Sequence, residues 1–251
     1  MKSSNKYFNI VLIAILLLFI MDVFTLKDFV PASRDFNELS IKHAKLLSTN
    51  LNLNDKGFHI NVDLDKTLLY LYKDGELIKT YPVSGGKPNT PSPLGTWKII
   101  NKDTWGDGFG GAWLGFNVPW GLYGIHGTTE PWFIGNSNTS QGCIRMKNAD
   151  VKELYNTITY GTTVTIVHKN RPFHTMRDGD VGSDILEVEK ALCKLGYYSG
   201  SEDGIFGSTL KASVRKFQKE NKLYVTGVIN ISTYNLIMEK FKVLEEEQAE
   251  N

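Results

Sequence analysis

Hydrophobic and polar positions divide the chain into stretches of different rhythm. From Tyr7 to Leu26 the residues are almost all apolar, broken mainly by Asn9 and Asp22. These 20 residues match what an α-helix needs to cross a hydrocarbon core of ~30 Å. Lys2 and Lys6 precede the run and orient it with the N-terminus cytoplasmic and the rest of the chain outside. A cleaved signal peptide is the competing reading, with an apolar region of ~7–15 residues. Its one cleavage candidate, Val30-Pro31-Ala32, lies beyond the run. Residues 1–26 are thus expected to form a cytoplasmic tip and transmembrane helix, and 27–56, of mixed charge, a stalk.

At Phe58 the rhythm changes to period two. Phe58 to Leu64 alternates as a half-buried strand does. Leu68–Lys73 and Leu77–Ser84 flank Asp74-Gly75, a hairpin signal because both residues accept positive φ. Further strand-like runs follow at 96–100, 112–116, 122–126 and 162–167. A single helical pattern, Asn148 to Ile158, places Val151, Leu154, Tyr155 and Ile158 on one face, with Asn148 as its N-cap. Many short strands with one helix predict a mainly β domain over 57–168, a β-sandwich or barrel-like sheet.

Residues 169–180, with Pro172 and Gly179, read as a linker. The period then becomes helical. Ser183, Ser208 and Ser232 are expected to cap three helices, the first with Ile185, Leu186, Val188, Leu192 and Leu195 inward and the second with Leu210, Val214 and Phe217 inward. This predicts a small all-α domain over 181–240 and an acidic, frayed tail over 241–251.

Charge narrows the partners. Basic and acidic residues number 28 and 27, are interspersed, and leave a net charge of +1. No concentrated basic face is available for nucleic acid. The two cysteines, Cys143 and Cys193, exclude a disulfide framework and a paired-cysteine zinc site. Asp103 and Asp107 read as turn residues rather than metal ligands, and no metal or cofactor is called for. Cys193, beside Leu192, reads as a packed thiol.

The candidate chemistry lies in Ile125-His126-Gly127-Thr128 and Ser140-Gln141-Gly142-Cys143-Ile144-Arg145-Met146. A thiol becomes a nucleophile when something favours its thiolate, and an imidazole can do so. His126 ends a strand, and a loop rich in Gly, Asn and Ser can fold Cys143 back beside it from 17 residues further on. Gly142 permits close backbone approach, so nearby amides could face an oxyanion. Arg145 adds a fixed positive fork suited to a carboxylate. A small buried cysteine and a satisfied core histidine would be the bland alternative. Trp105, Trp113, Trp120 and Trp132 are candidates for stacking or, more simply, for core packing.

His126-Gly127-Thr128 followed by Ser140-x-Gly142-Cys143-Ile144-Arg145-Met146 resembles the signature of the L,D-transpeptidase (YkuD-type) catalytic domain. Ser84-Gly85-Gly86-Lys87 and Thr90-Pro91-Ser92-Pro93-Leu94-Gly95-Thr96-Trp97 are similar to a second motif of the same family. The resemblance implies Cys143 as nucleophile, His126 as general base and acid, and Ser140 as a residue positioning that histidine. Gly142 completes the catalytic group, and Arg145, Tyr123 and Gly127 are candidate substrate contacts. Gln141 departs from the His or Lys often found in the family, which bears on substrate preference. The C-terminal pattern, with Leu195-Gly196-Tyr197-Tyr198, Asp203-Gly204-Ile205-Phe206-Gly207 and Phe217-Gln218, resembles a three-helix peptidoglycan-binding domain. There Tyr197, Tyr198, Asp203 and Phe206 are candidates for a glycan groove or for turn and core roles.

Together these resemblances imply a membrane-anchored enzyme of the bacterial cell wall that forms 3→3 peptidoglycan cross-links through a thioester. Its partners would be peptide stems, glycan and, through the N-terminal helix, the membrane; a secreted form is the alternative. A bacterial host leaves the sequons at Asn138 and Asn230 without significance. Hydrolysis by the same nucleophile (an L,D-carboxypeptidase) and a non-catalytic wall-binding protein stay open. A sortase is disfavoured by the short His-to-Cys interval.

Overall fold

The computed structural model describes residues 57–249. Its first part holds strands β1 (Phe58–Asp63), β2 (Leu68–Lys73), β3 (Glu76–Pro82), β4 (Gly95–Asp103), β5 (Trp113–Phe116), β6 (Gly124–His126), β7 (Ile144–Arg145) and β8 (Thr163–Val167), with helix α1 (Asn148–Thr157) before the last. They form one sheet in the order β3-β2-β1-β8-β4-β5-β6-β7. The β2–β3 turn has φ of 51° at Asp74 and 86° at Gly75, as a tight hairpin requires.

Two features curl this sheet. β4 pairs with β8 through Gly95–Lys98 and with β5 through Ile99–Asp103, and its register slips between Ile99 and Asn101. A bulge there bends the strand. The chain leaving β3 then reaches the opposite edge, where Ser84 and Arg145 exchange backbone hydrogen bonds of 2.9 and 2.8 Å. The result is a half-barrel rather than a two-sheet sandwich. Ile60, Val62, Leu71, Leu114, Ile125, Ile144 and Val164 fill it, and α1 adds Val151 and Leu154. Each such fully buried aliphatic contributes ~1.5–3 kcal/mol.

The second part is three helices: α2 (Ser183–Lys194), α3 (Ser208–Glu220) and α4 (Ile231–Ala249). Ile185, Val188, Leu192, Phe206, Leu210, Val214, Phe217 and Ile237 form its core.

Several expectations are corrected. The predicted fold included an N-terminal transmembrane helix. Among the described residues no helix is long and apolar enough to cross a membrane, and residues 7–26, like the expected stalk, lie outside them. The fold of the described residues is therefore a half-barrel domain plus helices. The expected serine caps are displaced: the cap positions of α2 and α3 are Gly182 and Gly207, and neither makes a side-chain cap bond. At α4 it is Asn230 whose Oδ1 accepts the Thr233 amide, 2.9 Å. Asn148 lies inside α1, after Lys147 at the cap. From residue 241 to Ala249 the chain is helical where a frayed tail was expected. Cys193 is exposed, not packed.

The two parts are docked. Asp65 accepts the amides of Lys169 (2.6 Å) and Asn170 (3.0 Å). Met176 and Ile229 exchange backbone bonds of 3.0 and 2.9 Å. Leu186 of α2 packs against the half-barrel core. The segment that reads as a linker is thus strapped to both neighbours.

Candidate active site

The parallel pair β6–β7 sets Ile125 beside Ile144 and His126 beside Arg145. Side chains alternate faces along a strand. Ile125 and Ile144 therefore point into the core, while His126 and Arg145 share the opposite face. Carrying the alternation back one residue puts Cys143 on the His126 face, next to Gly124. The thiol faces the Gly124 amide, a bond that favours the thiolate. No Cβ fits at Gly124, where one would lie 2.5 Å from the Leu114 carbonyl and 2.9 Å from Trp113.

His126 is 6% exposed. Phe109 meets it edge-on at 4.7 Å, and Trp113 stacks at 5.8 Å. Nδ1 lies 2.6 Å from the Gly127 carbonyl, which can only accept, so Nδ1 carries the proton and Nε2 the lone pair. Burial brings the imidazole down to about 4; the Gly127 bond opposes this, and Arg145 adds to it. Burial likewise pushes the Cys143 thiol up, against the pull of the Gly124 amide and Arg145. At neutral pH the resting pair is accordingly thiol and neutral imidazole. The thiolate expected from proximity does not form on its own, because desolvation disfavours both charges.

The loop that carries Cys143 is braced by the second sequence motif. Gly86 bridges to Ser140, Lys87 N–H and Thr90 Oγ1 donate to the Ser140 carbonyl (3.1 and 3.0 Å), and the Gly86 amide donates to Ser92 Oγ (2.9 Å). Ser140 does not reach His126. Its hydroxyl donates to the Cys143 carbonyl (2.6 Å) and accepts the Gly142 amide (2.9 Å). The Gly142 amide is therefore spent, whereas the Cys143 amide has no acceptor among the described residues.

Among the candidate substrate contacts, Arg145 Nη1 is paired with Glu130 Oε2 at 3.0 Å. Tyr123 packs on Gly142 and is half-buried. Gly127 is buried between loops: an added Cβ would collide with Asn148 Oδ1 and lie 2.8 Å from Gly110 Cα, so it serves packing rather than contact. In the helical domain Phe206 is fully buried. Tyr198 is buried with its hydroxyl donating to the Ser201 carbonyl, 2.7 Å. Tyr197 stands edge-on to Phe217 at 5.1 Å, and Asp203 accepts the Ile205 amide, 3.1 Å. The first two are core residues, which removes them from a glycan groove. Sequence reasoning did not single out Glu130, Phe109 or Gly124, and it read Asn148 only as a helix cap, whereas its Oδ1 accepts the Thr128 amide at 2.8 Å. The aromatic-rich loop before β5 was the one signal for an apolar histidine environment.

Residues 57–166 match the YkuD family model, described as the L,D-transpeptidase catalytic domain. Residues 181–237 match the model described as "Putative peptidoglycan binding domain". Over 110 residues the chain is 43% identical to the "Putative L,D-transpeptidase YkuD" of Bacillus licheniformis and to its namesake in Bacillus subtilis, covering 43% of this chain and 65% of each relative. It thus spans just under two thirds of their length. The solved "L,D-transpeptidase (Yku)" from Stackebrandtia nassauensis is 31% identical, with 47% of this chain and 58% of that one covered and a TM-score of 0.39. Residues 57–166 are therefore similar to the L,D-transpeptidase catalytic domain, and 181–237 to the peptidoglycan-binding domain that follows it.

Proposed function

We propose that this chain is a cell-wall L,D-transpeptidase that uses Cys143 as nucleophile and His126 as general base, and whose helical domain holds it on peptidoglycan. The observation that carries this reading is the shared face of Cys143, His126 and Arg145 across β6–β7, with the Nε2 lone pair unspent. As Sγ attacks the carbonyl of the third residue of a tetrapeptide stem, its proton passes to Nε2. The C–N bond to the terminal D-alanine breaks, and His126 returns the proton to the departing amine. The resulting thioester divides one difficult step into two. The amine of a neighbouring stem then attacks the thioester, His126 takes its proton and passes it to the released sulfur, and a 3→3 cross-link is left. The Cys143 amide is the donor for the oxyanion of each tetrahedral intermediate. Arg145 releases Glu130 to hold a stem carboxylate.

The test is incubation of muropeptides with the wild-type chain and with Cys143→Ala, read by mass spectrometry. Dimers joined 3→3 with the wild type, absent with Cys143→Ala, are the expected result. Trimmed tripeptides alone would reassign the enzyme as an L,D-carboxypeptidase. Unchanged muropeptides bound by both proteins would leave a wall-binding protein without chemistry.

A further inference from the structure

The junction between the two domains holds more space and more unspent polar groups than a docking contact needs. Trp120 crosses it. An added Cβ on Gly204 of the helical domain would collide with its ring, and on the other side Trp120 meets Trp97 edge-on at 5.4 Å. Beside Trp120 a small cavity of about 180 Å³ opens under Tyr123, Gln141, Pro91, Val181 and Ser183. A larger one of about 710 Å³ continues past Lys87, Phe173 and His174. Asn89, Pro91, Arg171 and Val181 line both, so they are compartments of one groove. Its inner end adjoins the nucleophile loop: Tyr123 and the Pro91 carbonyl are the atoms nearest Gly142.

The polar groups along it are of two kinds. Arg171 and His174 are spoken for by Asp184, at 3.3 and 3.1 Å. Others are unspent among the described residues: the amides of Asn89 and Gln141, and the Lys87 ammonium. Side-chain amides between proline and valine walls suit a peptide backbone, and a cation at the far end suits a carboxylate.

We propose that this junction groove binds a carboxylate-bearing peptide, with Lys87 taking the carboxylate and the side-chain amides of Asn89 and Gln141 the backbone, opposite a wall formed by Val181 of the helical domain. Resting on the transpeptidase reading, the ligand is one of the two peptide stems, and the helical domain forms a wall of the substrate site as well as a tether.

The test uses the full chain and a synthetic tetrapeptide stem ending in D-alanine. Lys87→Glu reverses the charge, and Val181→Trp fills the groove from an exposed position. For each, KM for the stem is expected to rise about tenfold, and in Val181→Trp kcat should stay within about twofold of wild type. Lys87→Arg should keep the wild-type KM. Acylation of Cys143 by a carbapenem, a small reagent that does not need the groove, should proceed at the wild-type rate in Val181→Trp. Unchanged KM in both disruptive variants, with acylation intact, overturns the groove and leaves the transpeptidase reading standing. Competition by stem-free glycan strands overturns the peptide assignment. A wild-type chain that is neither acylated nor active on the stem fails the transpeptidase reading and takes the groove with it.

Discussion

Gly142→Ala tests how Cys143, the proposed nucleophile, is held. Gly142 has φ of 122°, a conformation L side chains rarely adopt. An added Cβ would lie 2.6 Å from Tyr123 Cε1 and 3.3 Å from the Pro91 carbonyl. Backbone strain of this kind costs ~1–3 kcal/mol, and overpacking adds ~1–3 kcal/mol where neighbours do not give. Tyr123 is half-buried and its ring can yield in part, which favours a total of about 2–3 kcal/mol. For a chain of this size that lowers Tm by roughly 5–10 °C. The larger effect is on chemistry: the strained residue is joined directly to Cys143, and a misplacement of about 1 Å costs on the order of 10²-fold in rate. Thermal unfolding and the rate of carbapenem acylation, read as intact mass, measure the two effects. Gly108→Ala is the control, since a Cβ there meets nothing within 4 Å. A Gly142→Ala protein that matches this control in both Tm and acylation rate would refute the reasoning.

Two buried titrating groups give predictions of opposite sign. His126, at about 4 in the fold, is already a base in mild acid. The acidic limb of kcat/KM is therefore expected near pH 4, and a limb at the ordinary imidazole value of about 6.5 would show that the histidine is solvated. Between those values the unfolded chain binds the extra proton, so His126 should make the fold lose about 3 kcal/mol as pH falls from 6.5 to 4. Glu189 works the other way. It is fully buried, held by the Gly204 amide at 2.7 Å and the Tyr198 hydroxyl at 3.4 Å. Burial raises it to about 7, and nearby Asp203 adds to the rise. The folded chain keeps that proton longer, so stability should fall by about 3 kcal/mol as pH rises from 4.5 to 7. Glu189→Gln keeps an acceptor for Gly204 and should raise Tm at pH 8 relative to wild type; an unchanged or lower Tm would mean that the charged carboxylate is well solvated there.

What the sequence made legible follows from what is local. Period-two alternation around Phe58–Leu64 and the Asp74-Gly75 turn specify strands and a hairpin with no reference to the rest of the chain, and both are present. β7 has only two residues, too few for any period, yet it carries the register that sets His126 beside Arg145. The serine caps failed for a related reason. A glycine precedes Ser183 and Ser208, and the helix takes the glycine as its first non-helical residue. The two motifs that carried the family resemblance were legible as separate strings, but not as one structure in which Lys87 and Thr90 hold Ser140. The Glu130–Arg145 pair and the aromatic walls of His126 depend on loops from different parts of the sheet, so no spacing announces them. The protonation states were the least accessible, because they are set by burial.

Those states also determine how the proposed reaction must run. Even for a thiol at its ordinary value of about 8.5, moving the proton to an imidazole at about 4 is uphill by ~6 kcal/mol. Burial of Cys143 makes the step steeper. A turnover of about 10 s⁻¹ corresponds to a total barrier of ~16 kcal/mol, so the transfer can be accommodated, but it takes more than a third of the whole. A free thiolate–imidazolium pair waiting for substrate would forfeit that energy before any bond forms. Transfer coupled to attack does not, because negative charge then passes from sulfur to the carbonyl oxygen as it develops, where the Cys143 amide can meet it. The same desolvation that keeps both groups neutral at rest strengthens that amide's hold on the oxyanion. Neutral groups in a closed apolar setting and a charge-stabilising amide at the same residue therefore belong to one mechanism, in which the substrate's own carbonyl completes the charge balance.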